Sequence, residues 1–132
     1  TVTFNTTLSL YTIFDYTNLI EFLDKEFPGC LIHGGFADNI WPFVFTYSSE
    51  QIFKLERIKH TNIYKNNTLF KSFVDGVINL AKSSKLDQPK LSKFFSYNDQ
   101  LDKSRNSCLN NYIPELEHLR TLVGEENGIN KT

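Results

Sequence analysis

The chain has 132 residues, of which 40% are hydrophobic and 22% charged, and its formal net charge is −1. This length suits one domain with a real core, and the composition excludes a disordered chain. The near-neutral charge excludes a general attraction to nucleic acid or to an anionic membrane. No apolar run reaches the roughly 18 residues of a membrane span, and the start lacks the pattern of a signal peptide. Because the sequence contains no methionine, we expect an excised piece of a longer protein.

The first 30 residues or so predict a strand followed by a helix. Segment 4–14 is rich in threonine and partly alternates apolar with polar side chains, which indicates a strand. Asn18 and Glu21 stand at capping-box spacing and begin a predicted helix. Pro28–Gly29 ends that helix.

Three further strands are predicted in the middle of the chain. Residues 30–32 form a short apolar run, and Gly34–Gly35 after it indicates a turn. Segment 40–47 is a continuous aromatic and β-branched run, which is typical of a strand buried on both faces. Residues 62–64 are long enough only for a short strand.

Two helices are predicted between and after these strands. Ser48 and Gln51 have capping-box spacing, and the apolar residues that follow lie on one helical face. Asn66–Asn67 then interrupts the chain before segment 69–81, which has the clearest amphipathic helical pattern in the sequence.

The remaining C-terminal residues predict an extension. Segment 83–105 is polar and is expected to be a loop or broken helix that Phe94–Phe95 pins to the domain. A final helix is predicted from Pro114 to Gly124. We therefore divide the chain into a core, residues 1–82, and a C-terminal loop and helical extension, residues 83–132, packed on the same domain.

Strands that alternate with helices predict an α/β fold with a mostly parallel sheet. Segment 63–76, IYKNNTLFKSFVDG, resembles the last strand, turn and third helix of the BRCT family. It matches the family pattern at Leu69, Ser72, Phe73 and Gly76, although Thr68 stands where the family has tryptophan. Gly29 before the second strand is a further similarity. The resemblance implies a three-layer domain, a four-stranded parallel sheet flanked by helices, from a fungal nuclear scaffold of silencing or genome maintenance.

The same resemblance implies a protein-interaction module that binds a partner peptide, which is phosphorylated for many members. The family uses a hydroxyl at the end of the first strand and a lysine on the second helix, and Thr12 and Lys54 occupy these positions here. A hydroxyl, free backbone N–H groups and an ammonium can together bind a phosphate dianion. Lys65 and Lys71 add positive charge for a partner, and Trp41 is a candidate anchor.

The sequence predicts no enzyme, no cofactor and no metal site. Its three histidines have no cysteine or carboxylate at a metal-ligand spacing. Cys30 and His33 lack a third group to orient them as nucleophile and base. The aromatic residues of segment 36–47 have no interleaved lysine or arginine, so direct nucleic-acid binding is not expected.

Two alternatives stay open. One is a secreted, glycosylated binding domain with a Cys30–Cys108 disulfide and sequons at Asn5, Asn66 and Asn130. Free thiols in a reducing, nuclear compartment are the preferred interpretation of the cysteines. The other alternative is a small α/β enzyme of unknown reaction.

Overall fold

The computed structural model describes residues 2–38, 40–105 and 113–131. The chain divides into two compact units, Thr1–Lys85 and Leu86–Thr132. The first unit is α/β, as predicted, but it is mostly helical and its parallel sheet has two strands. The second unit is helical. Whether the C-terminal extension packs on the core stays a prediction.

In the first unit, the strands are β1 (Thr3–Leu8) and β2 (Leu31–Phe36), and the helices are α1 (Tyr16–Glu26), α2 (Ser49–Glu56), α3 (Asn62–Asn66) and α4 (Thr68–Ser83). Short 3₁₀ helices occupy Ile13–Asp15, Trp41–Phe43 and Arg57–His60. The second unit contains α5 (Gln88–Arg105) and α6 (Pro114–Lys131).

The unit starts with β1, α1 and β2. Because β1 and β2 are parallel, a long connection must join the end of one strand to the start of the other, and α1 lies in this connection. The strands pair in register from Thr3 with Leu31 to Leu8 with Phe36. Gly29 has φ of 81°, a left-handed conformation that glycine adopts without strain, and it turns the chain from α1 into β2.

Both helices that cover the sheet lie on the same face. The hydroxyls of Thr6 on β1 and Tyr16 on α1 are hydrogen-bonded at 2.7 Å. Gly34, the register partner of Thr6, lies under the ring of Phe73 from α4. The rings of Tyr16 and Phe73 meet edge to face, 6.4 Å apart between centroids. Burial raises the pKa of Tyr16 to about 12, as expected for a phenol inside this core.

The opposite face of the sheet is exposed. Side chains alternate between faces along a strand, so the odd-numbered residues share this second face. Its exposed members come from both strands: Thr3, Asn5, Thr7, Leu31 and His33. The predicted three-layer arrangement, with helices on both faces, is therefore wrong for the described residues.

The predicted four-stranded sheet is also wrong, and its third strand is missing for a local reason. Within segment 40–47 the described chain forms the 3₁₀ helix Trp41–Phe43 and irregular backbone. The Asp38 carboxylate accepts the N–H of Ile40 at 2.6 Å and starts this turn. Pro42 has a fixed φ and no N–H to donate to a sheet. Val44, Phe45 and Tyr47 are nevertheless buried, because burial does not require a strand.

The predicted fourth strand, residues 62–64, lies inside helix α3. Thr61 caps this helix by accepting the N–H of Tyr64 at 3.3 Å. The Asp24 carboxylate of α1 accepts the N–H groups of Asn62 and Ile63 at 3.2 and 3.0 Å. A distant acidic side chain thus satisfies the first amides of the helix, which a local pattern cannot reveal.

The other boundaries differ in detail. β1 ends at Leu8 instead of residue 14, and Gly34–Gly35 lies inside β2 instead of forming a turn. Helix α1 begins at Tyr16, so the expected capping box at Asn18 is wrong. The capping box of Ser48 and Gln51 is confirmed at the start of α2, and the amphipathic helix of segment 69–81 is confirmed as α4.

The second unit is more helical than expected. Segment 83–105, predicted as a loop or broken helix, contains the 18-residue helix α5, and Phe94 and Phe95 are buried. Helix α6 begins at Pro114, as predicted, but continues past Gly124. Arg120 binds Asp99 with two hydrogen bonds of 2.7 and 3.1 Å, which join α6 to α5.

Alanine at Gly34 tests the packing of α4 on β2. A methyl group there would lie 2.8 Å from Cγ of Phe73, inside van der Waals contact. We expect Gly34→Ala to lower the free energy of unfolding by about 1–3 kcal/mol in urea denaturation. Gly35→Ala is the matched control, since its methyl group would meet no atom within 4 Å. Equal stability of the two variants would contradict this packing.

Candidate functional site

Thr12 lies in the turn that follows β1, at the start of the 3₁₀ helix Ile13–Asp15. Its hydroxyl donates to the carbonyl of Thr7 at 3.1 Å and accepts the N–H of Ser9 at 2.9 Å. The N–H groups of Thr12 and Ile13 both donate to the carbonyl of Ser9. The polar groups of this turn therefore bind one another.

Lys54 reaches the same turn from α2. Its ammonium donates to the carbonyl of Phe14 at 3.0 Å, and the Thr17 hydroxyl donates to the carbonyl of Lys54 at 2.9 Å. The sequence thus predicted two residues that the fold does bring to one turn. A phosphate there would compete with these internal bonds.

The cavity beside this turn is small. It has a volume of about 30 Å³ and is lined by residues of the turn and of α2, among them Phe14, Thr17 and Lys54. That volume holds at most a couple of water molecules. The geometry therefore favours a structural role for Thr12 and Lys54, which hold the turn and α2 together, and their role in phosphate binding stays a prediction.

The other predicted contact residues lie on different elements. Trp41 is half-buried in its 3₁₀ helix, and its backbone N–H donates to the Asp38 carboxylate at 3.3 Å. Lys65 is exposed at the end of α3, and Lys71 is exposed in the first turns of α4. The ammonium of Lys71 lies 5.6 Å from the ring centroid of Tyr64, which is a cation–π geometry. Lys65 and Lys71 thus belong to one region, α3 and the start of α4.

The hydrogen-bond ladder shows which backbone groups of the sheet point outward. Leu31 donates to the carbonyl of Val2, and Ala37 donates to the carbonyl of Leu8, both at 2.9 Å. In a parallel ladder with this register, the even-numbered residues of β1 bind β2. The N–H and C=O groups of the odd-numbered residues of β1, such as Asn5, therefore point away from the sheet.

On the outer edge of each of the two strands, one backbone carbonyl accepts a hydrogen bond from a side chain. On β1, the Thr12 hydroxyl occupies the carbonyl of Thr7 at 3.1 Å. On β2, the Asn67 side chain donates to the carbonyl of Ile32 at 3.2 Å. Within residues 2–38, 40–105 and 113–131, no hydrogen bond joins the outward backbone groups of Thr3 and Asn5 to a partner. The start of the β1 edge is therefore a candidate place for strand pairing.

The sequence of β1 does not protect that edge. Its residues, TFNTTL, include no proline and no charged side chain, which are the usual devices that prevent edge pairing. Sequence reasoning missed this site because it assigned two further strands to the sheet. The composition of β1 was visible in the sequence, but its position at an edge was not.

A second concave surface lies between α2 and the end of α4. It has a volume of about 350 Å³, and its lining includes Ile52, Phe53 and Ala81. Phe53 is 68% exposed, which is unusual for a large apolar side chain. An ion pair of 3.0 Å between Glu56 and Lys82 borders the groove, and the hydrogen bond and charge of Lys82 lower the pKa of Glu56.

The residues considered for catalysis do not form a reactive centre in the described part of the chain. Cys30 is a buried free thiol, and burial, together with the charge of Asp24, raises its pKa. A raised pKa disfavours the reactive thiolate. His33 is exposed on the open face of the sheet. Cys108, the other half of the alternative disulfide, lies outside the described residues.

Two substitutions test the structural role of the predicted phosphate-binding residues. We expect Thr12→Val and Lys54→Met each to lower the free energy of unfolding by about 1 kcal/mol, because each removes an internal hydrogen bond. Urea denaturation measures the change, and Lys65→Met is the control, since an exposed lysine contributes little. Stabilities equal to that of the control would show that the turn does not depend on these bonds.

No helix in the described ranges has both the length and the apolar character required to cross a membrane. Nor do those ranges contain three histidine, cysteine, aspartate or glutamate residues grouped as a metal site. No protein-family model, curated protein or solved structure matches the chain.

Proposed function

We propose that the unit Thr1–Lys85 is a protein-interaction module that binds a short extended peptide of a partner protein beside its sheet. One observation carries this proposal: the outward backbone groups of Thr3 and Asn5 lack a partner among the described residues, at the edge of a sheet of two strands. The module assembles or recruits a complex and catalyses no reaction.

Strand addition is the recognition mode that fits this edge. An extended peptide pairs its backbone with an exposed edge strand, and main-chain hydrogen bonds supply affinity. On β1 the peptide binds the N–H and C=O groups of Thr3 and Asn5. It ends near Thr7, because the Thr12 hydroxyl already occupies the Thr7 carbonyl. Thr12 then acts as a stop for the peptide rather than as a phosphate ligand.

The exposed face of the sheet supports the same proposal. Parallel sheets occur almost only with both faces covered, whereas here the odd-numbered face carries exposed Asn5, His33 and Leu31. A peptide at the β1 edge places alternate side chains over this face. The face is mostly polar and uncharged, so we expect selectivity for side chains that form neutral hydrogen bonds.

The relationship to the BRCT family is part of the proposal. Its support is the β1–α1–β2 start and helix α4, which carries Leu69, Ser72, Phe73 and Gly76 of the quoted motif. In this proposal the chain is a reduced member, in which short helices replace the third and fourth strands. A nuclear location and a role in a chromatin or repair scaffold follow from that relationship.

Selection from a library of random peptides tests the module. We expect extended peptides to be enriched on the immobilised full chain, and we expect Asn5→Pro to weaken their binding roughly tenfold or more. Proline removes the outward N–H of residue 5, which does not pair with β2. The substitution therefore removes one hydrogen bond to the peptide and places the proline ring against it, while the pairing of β1 with β2 is kept. Fluorescence anisotropy with a selected peptide measures the change.

Asn5→Ala is the matched control, because it removes the side chain and keeps the backbone donor. Binding by this variant within about threefold of the unchanged chain supports backbone pairing. Equal binding by Asn5→Pro, or failure to enrich any peptide, contradicts strand addition at β1. Phosphorylated copies of the selected peptides, with Lys54→Met, show separately whether phosphate contributes.

A further inference from the structure

A basic surface lies on three consecutive helical segments of the first unit. These are the 3₁₀ helix Arg57–His60, helix α3 and the start of α4. The sequence from residue 57 to residue 74 contains four lysine or arginine residues and one histidine, and no acidic residue. Because the three segments follow one another and pack together, these charges share one region of the surface.

Most of these cations are not paired with a carboxylate. Arg57 binds Glu21 of α1. Lys59, Lys65 and Lys71 form no ion pair with any residue in the described ranges. Three positive charges therefore have no carboxylate partner within ion-pair distance among the described residues.

Two carboxylates that contact helix α3 are committed to it, and Glu56, whose carboxylate also interacts with the charge of Lys59, is paired with Lys82. Asp24 accepts the backbone N–H groups of Asn62 and Ile63. Asp75 accepts the hydroxyl of Tyr64 at 2.6 Å, and burial together with this carboxylate raises the pKa of Tyr64 to about 12. These two acidic groups are thus used to position α3.

One cation of the surface is held in place. Lys71 rests over the ring of Tyr64 at 5.6 Å, which limits the motion of its ammonium. The surface thus presents a positive charge at a defined position.

We infer that this basic surface docks an acidic segment of a partner protein. Charge complementarity selects the partner, because its carboxylates compensate the lysines. The unpaired cations are lysines, which lack the bidentate fork of arginine for phosphate. Tyr64 is buried, so its ring is not available for base stacking. The surface is formed by elements other than β1, so it is independent of strand addition.

The test uses the full chain and a labelled peptide of about twelve residues rich in aspartate and glutamate. Fluorescence anisotropy at low and physiological salt should show binding that weakens as salt increases. Lys65→Glu combined with Lys71→Glu should weaken binding roughly tenfold or more. Both side chains are exposed and form no ion pair in the described ranges, and the variant gives up only the contact of Lys71 with the Tyr64 ring, so circular dichroism should show an unchanged fold.

Lys93→Glu combined with Lys103→Glu is the matched control, since it makes the same charge change at two exposed positions of α5. Binding within about twofold of the unchanged chain supports a localised surface. An equal loss in both double variants, or no loss in the first, overturns the inference. Absence of binding by the acidic peptide also overturns it. Tighter binding of oligothymidine through Lys65 and Lys71 would assign the surface to nucleic acid instead.

Discussion

The packing of Phe73 against Gly34 is the constraint on which the first unit depends. Only a residue without a side chain lets the ring approach the backbone of β2 this closely. The contact fixes α4 on the same face of the sheet as α1, where Phe73 also meets Tyr16. The core of the unit therefore lies on one side of the sheet, and a two-layer arrangement follows.

This arrangement explains why the proposed binding surface lies where it does. With both packed helices on one face, the odd-numbered face of β1 and β2 is left exposed, and no described strand extends the sheet beyond β1. The side chains of Thr12 and Asn67 each close one carbonyl at an outer edge. The first residues of β1 are thus the part of the edge at which the proposed peptide would add. Structure and proposed function thus share one cause, the restriction of the sheet to two strands.

Much of the helical structure could be predicted from the sequence, because its signals are local. Ser48 and Gln51 form their capping box, and Asn67 caps the amphipathic helix α4. The strands predicted for segments 40–47 and 62–64 are wrong, because the contacts that decide their structure are not visible in the local sequence pattern. Several of their apolar residues, such as Phe45 and Ile63, are buried, but the carboxylates of Asp38 and Asp24 start helical turns there.

The candidate site was predictable only in part. Thr12 and Lys54 do meet at one turn, because the second helix was correctly placed along the chain, although β1 ends at Leu8 and Thr12 lies in the turn after it. Their hydrogen bonds to Thr7 and Phe14 depend on the tertiary fold.

Amide hydrogen exchange along β1, followed by NMR, tests the two-stranded sheet most directly. The account predicts slow exchange at Phe4, Thr6 and Leu8 and fast exchange at Thr3, Asn5 and Thr7. Slow exchange at Asn5 and Thr7 together with residues 43–47 would reveal a third strand beside β1 and would contradict the two-stranded sheet.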